Sequence, residues 1–82
     1  MGIEKDNKFY RITTLGDNKF YYYLYVSGFN TLFDMENLEN PISEEYFKFD
    51  LDKVDNTQPV IPQIYNLLLE TPQFTGGTII NE

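Results

Sequence analysis

The side chains that come nearest to chemistry lie in Asp50-Leu-Asp52-Lys-Val-Asp55, where three carboxylates fall within six residues. Closely spaced carboxylates can hold a hard cation or share a proton. An EF-hand loop opening at Asp50 would need Gly at its sixth position and Glu at its twelfth, where Asp55 and Ile61 stand instead. The chain contains no His and no Cys, so the usual zinc ligand sets are ruled out. Ser occurs only at positions 27 and 43, which leaves no material for a Ser-His or Cys-His nucleophile. Gly76-Gly77 lacks the following Lys of a phosphate-binding loop and reads as a turn. The expectation is a protein that is not an enzyme and carries no cofactor or metal.

Two features point instead to binding. The first is charge. The net charge is −7, and residues 34 to 55 hold eight acids against Lys48 and Lys53. Such a run is commonly a solvated face. Its sharper meaning is a decoy for a basic surface. Asp50 and Asp52 on one face of a strand would stand about 6.7 Å apart, twice the strand rise, with Glu44, Glu45 and Asp55 extending the array as a nucleic-acid mimic. With six Lys and Arg against thirteen Asp and Glu, direct nucleic-acid binding is disfavoured, because that affinity rests on cations displacing counterions.

The second feature is the run Lys19-Phe-Tyr-Tyr-Tyr-Leu-Tyr-Val26. Aromatic and β-branched residues favour a pleated surface, so the run predicts a central strand. Alternation sets Phe20, Tyr22, Leu24 and Val26 on one face and Tyr21, Tyr23 and Tyr25 on the other. Four exposed tyrosines would show roughly 600 to 1,000 Å², whereas the largest apolar patch on a monomer is roughly 300 to 600 Å². The row is therefore either ordinary sheet packing or an interface that something covers.

These side chains need elements to position them. Lys8 to Leu15 alternates as a strand, and Gly16-Asp17-Asn18 supplies turn residues, which predicts a β-hairpin with Lys19–Val26. A two-residue loop at Asp17-Asn18 pairs Leu15 with Phe20, Ile12 with Tyr23 and Tyr10 with Tyr25, and so adds Tyr10 to the tyrosine row. A three-residue loop would change the faces. Residues 34 to 39 suggest one helical turn or an ordered loop, ended by Pro41. Phe47, Phe49 and Leu51 alternate with polar neighbours, predicting a half-buried strand over 46 to 52. Ile61, Ile64, Tyr65 and Leu68 make the stripe of an amphipathic helix over 61 to 71, with Pro62 in its first turn and Pro72 at its end. Residues 78 to 81 suggest a short last strand, and residues 1 to 7 read as frayed.

The chain of 82 residues is expected to form one small domain of the α+β class. Its architecture would be an antiparallel sheet of three or four strands in the order ββ-loop-βαβ, with one short helix on a face. No apolar run suggests a signal peptide or a membrane span. Eight Asn and no Ala resemble an AT-rich coding source, which suggests a phage or bacterial accessory or inhibitor protein in the cytoplasm of a bacterial host. The expected function is an acidic module that binds a protein partner with a basic surface through Tyr10, Tyr21, Tyr23, Tyr25, Glu44, Glu45, Asp50, Asp52 and Asp55. The alternative is a structural subunit of a homo-oligomer or larger particle that assembles through its Tyr-rich face.

Overall fold

A computed structural model describes residues 1–81. The described residues form a five-stranded antiparallel sheet and two α-helices, so the α+β class and the antiparallel sheet stand, while the strand count and order differ from expectation. The strands are β1 (Gly2–Lys5), β2 (Lys8–Asp17), β3 (Tyr21–Phe29), β4 (Ser43–Asp50) and β5 (Thr78–Ile80). Helix α1 is Leu32–Asn37 and α2 is Val60–Leu69, with a 3-10 turn at Leu51–Lys53. Across the sheet the order is β4-β3-β2-β1-β5.

The extra strand is β1, in the segment expected to fray. It lies between β2 and β5, and its Ile3 is completely buried. Asp6 and Asn7 make this possible. Both have positive φ, 52° and 63°, and Lys5 pairs with Lys8 across them, which is the geometry of a two-residue hairpin with the right twist. Asp17-Asn18 behaves differently. Asp17 pairs with Tyr22, so the connection is longer, and the Asn18 side-chain carbonyl folds it by accepting the N–H groups of Phe20 and Tyr21 at 2.8 and 3.0 Å.

The register of β2 against β3 therefore differs from that of a two-residue loop. Leu15 pairs with Leu24 and Thr14 with Tyr25; a bulge then passes Thr13, and Ile12 pairs with Val26 and Tyr10 with Gly28. One inserted residue reverses the facing of everything beyond it. Tyr10 consequently turns to the opposite face from Tyr25.

Helix α2 covers one face. Ile64, Tyr65 and Leu68 are buried against Ile3, Tyr22, Leu24 and Val26, with Val54 and Phe74 closing the ends. Each such apolar side chain contributes about 1.5–3 kcal/mol on burial, and a ten-residue helix would not persist without that contact. Ile61, expected in the stripe, is instead 51% exposed at the first turn. Gln63 ties the helix to the preceding loop: its side-chain carbonyl accepts the Asp55 N–H at 2.7 Å and its amide donates to the carbonyls of Asp55 and Pro59.

The other face is only partly covered. Thr31 caps α1 by accepting the Asp34 N–H at 3.0 Å, and Leu38 ends it in the left-handed region. Met35 is buried on this side together with Phe29. Gly2 leaves room for it, since a Cβ there would strike the Met35 sulfur. Arg11 reaches over from β2 and donates to the carbonyls of Met35 and Glu36 at 3.2 Å. The covered part takes in Gly2, β2 and the Phe29 end of β3, and the part built by the rest of β3 with β4 stays open.

Candidate interaction surface

On the open half, the register of β3 against β4 sets Tyr21 beside Asp50, Tyr23 beside Lys48 and Tyr25 beside Tyr46. Paired residues in an antiparallel sheet share a face, so these six side chains form one surface. The expected row of Tyr21, Tyr23 and Tyr25 is present. Tyr46 joins it, and Tyr10 does not.

Each tyrosine has its own support. The Tyr23 ring lies over Gly16, its cross-strand neighbour, where an added Cβ would collide with the phenol. The ring thus fills the space that the glycine leaves open. The rings of Tyr25 and Tyr46 meet at 5.2 Å and a 58° tilt, and the Lys48 ammonium sits 4.8 Å from the centre of the Tyr21 ring. Partial desolvation raises the Tyr46 phenol above its ordinary value of 10.0, and Tyr21 and Tyr25 beside it push the same way. The surface stays open to solvent even so. Tyr25 is 38% exposed and Tyr46 50%.

Tyr10 packs on the α2 side, edge-on to Phe74 with ring centres 4.9 Å apart. Burial raises its phenol, and the charges of Glu45 and Asp6 add to this. It serves the core.

The acidic residues are dispersed as well. The strand ends at Asp50, two residues short of its expected end, and Asp52 lies in the 3-10 turn, so the two are not alternate residues of one strand face. Glu44 shares the tyrosine face, next to a shallow depression formed with Ser27, Pro41, Ile42 and Ser43. Glu45 points to the other side and accepts a hydrogen bond from the Gln73 amide. Asp55 is engaged in a turn. Its carboxylate accepts the Thr57 hydroxyl at 2.6 Å and the Thr57 N–H at 2.9 Å, bonds that hold its pKa below the ordinary 3.8. Among the described residues no cluster of three or more such ligands is placed to hold a metal ion. What remains of the array on the tyrosine face is Glu44 at one end of β4 and Asp50 at the other.

Tyr46 and Lys48 were legible as the polar side of an alternating strand. Their place beside Tyr25 and Tyr23 follows only from the cross-strand register, which the sequence does not contain. Among the described residues no helix is long and apolar enough to cross a membrane. Comparison of the chain with protein-family models, with curated proteins and with solved structures finds no match.

Proposed function

We propose that the chain is a non-enzymatic protein-binding module whose contact surface is the β3–β4 half of the sheet. The observation that carries this is the paired, solvent-exposed rings of Tyr25 and Tyr46, flanked by Tyr21 and Tyr23. Tyrosine gives large contact area at little conformational cost and is enriched at the centres of interfaces. Glu44 and Asp50 at the rim, on a chain of net charge −7, favour a partner with a basic surface and would speed its approach. An accessory or inhibitor role in a bacterial or phage setting agrees with the Asn-rich, Ala-free composition. Imitation of a phosphate row forms no part of the proposal, because Glu45 turns to the other face of β4 and Asp52 and Asp55 lie beyond the strand.

The test is site-specific photocrosslinking in the producing cell, with the reactive group at Tyr46 and, as a control, at the exposed Asn66 of α2. A protein with a basic surface captured at Tyr46 alone supports the proposal. Capture at both positions alike, or of no other protein, overturns it. Capture of further copies alone favours the homo-oligomer, a reading to which the open edge of β4 lends weight.

A further inference from the structure

The outer edge of β4 is bonded to no described strand, since β4 closes the sheet on that side. Which residues turn their backbone groups outward follows from two bonds. Asn18 N–H donates to Tyr21 C=O at 3.1 Å, within the β2–β3 register, so the odd-numbered residues of β3 near this end face β2. Leu51 N–H donates to Phe20 C=O, within the β3–β4 register, so the even-numbered residues of β3 face β4 and bond its odd-numbered ones. Glu44, Tyr46, Lys48 and Asp50 therefore direct their N–H and C=O groups to the free edge.

Charged side chains on an edge strand commonly prevent pairing. Among the symmetric registers that overlap five or more residues of β4, their spacing does so for all but one. A two-fold axis perpendicular to the sheet keeps faces aligned and pairs β4 with itself in antiparallel sense. Centred on Glu45 it opposes two glutamates; centred on Phe47 it sets Glu44 against Asp50; centred on Lys48 it opposes two ammonium groups. Centred on Tyr46 it sets Glu44 against Lys48 of the second copy, and Lys48 against Glu44 of the second copy. In that register Tyr46 exchanges both backbone bonds with its own counterpart, and the outward groups of Glu44 and Lys48 are satisfied on either side.

The geometry points to a second copy of this chain as the occupant of the β4 edge, docked antiparallel about Tyr46 with reciprocal Glu44–Lys48 pairs. This goes beyond the binding of a protein partner on the sheet face and is independent of it. The joined sheets leave the tyrosine faces open and bring the Tyr25–Tyr46 ring pairs of the two copies side by side, doubling the surface.

The test is sedimentation equilibrium on the full chain over a range of concentrations, with Glu44→Lys, Lys48→Glu and the double exchange. Both side chains lie on the strand face away from the core, and circular dichroism checks that each variant is folded. Each single reversal replaces two attractive cross-strand pairs by repulsive ones, so dimer dissociation should rise about tenfold or more. The double exchange should return it to near the wild-type value. A wild-type chain that stays monomeric up to millimolar concentration overturns the proposal. So does a dimer indifferent to the single reversals, or one that the double exchange fails to restore. Tyr25→Ser separates the two ideas: it should weaken partner capture and leave the edge-paired dimer in place.

Discussion

The phenol oxygen of Tyr65 accepts the backbone N–H of Ile12 at 2.9 Å, joining helix α2 to the strand next to its bulge. The same oxygen donates to the Met1 carbonyl at 3.1 Å, so one buried hydroxyl ties three segments together. Irregular backbone at a bulge leaves groups outside the ladder, and here a side chain supplies the missing acceptor.

Tyr65→Phe should lower stability by about 1 kcal/mol, because the part-buried Ile12 N–H loses its acceptor. The same variant separates one contribution to alkaline unfolding. Burial raises the Tyr65 phenol above its ordinary 10.0, against smaller opposing effects of the Ile12 bond and Arg11. A group whose folded pKa is raised contributes fully below its unfolded pKa and loses that contribution as pH climbs through the folded one. Stability should thus fall above about pH 10, and less steeply in Tyr65→Phe. Denaturant titrations at a series of pH values measure both effects.

Leu24 and Tyr25 are neighbours in β3 with opposite duties. Leu24 is completely buried beneath α2, and Leu24→Ala should cost about 2–5 kcal/mol. Tyr25→Ser, on the open face, should cost about 1 kcal/mol or less while abolishing most partner capture. Equal losses of stability would mean that the tyrosine face is a second core.

Met35→Ala should cost about 2–5 kcal/mol by opening a cavity between α1 and the sheet. Hydrogen exchange localises the effect. Amides of α1 should lose protection first, and those of Ile64 to Leu68 should retain it until global unfolding, because α2 packs on the opposite face.

Thr57→Val removes a hydroxyl that stabilises the Asp55 carboxylate. The Asp55 pKa, held below the ordinary 3.8, should rise towards it, as an NMR titration of the carboxyl carbon would report. Because the folded pKa is depressed, the contribution to stability is present above 3.8 and vanishes as pH falls through the folded value. The acid limb of the stability curve should be shallower in the variant.

Local pattern made part of this molecule legible and left the rest to geometry. The alternation in Phe47 and Phe49 and the spacing of Ile64, Tyr65 and Leu68 report burial directly, so β4 and α2 emerge from sequence to within a few residues. Asp-Asn occurs three times, at 6–7, 17–18 and 55–56, and only the first makes a two-residue hairpin turn. Ile3 has too short a strand around it to announce itself, since its burial depends on β5 from the far end of the chain. The bulge at Thr13 has no signature in the run Ile12-Thr-Thr-Leu15. That single inserted residue turns Tyr10 to the core, while Tyr46 stands with Tyr25 through the separate register of β3 against β4.

The place of β1 between β2 and β5 governs the order in which the sheet can be completed. Hairpins β1–β2 and β2–β3 close over few residues and can form early. Pairing Ile3 with Ile79 must bring together the two ends of the described chain. Contacts of such long sequence separation carry the largest loop-closure cost and slow folding. Until β5 arrives, the margin on that side of the sheet is β1 itself; β5 then replaces it with an edge only three residues long, the kind that offers a neighbour little to pair with.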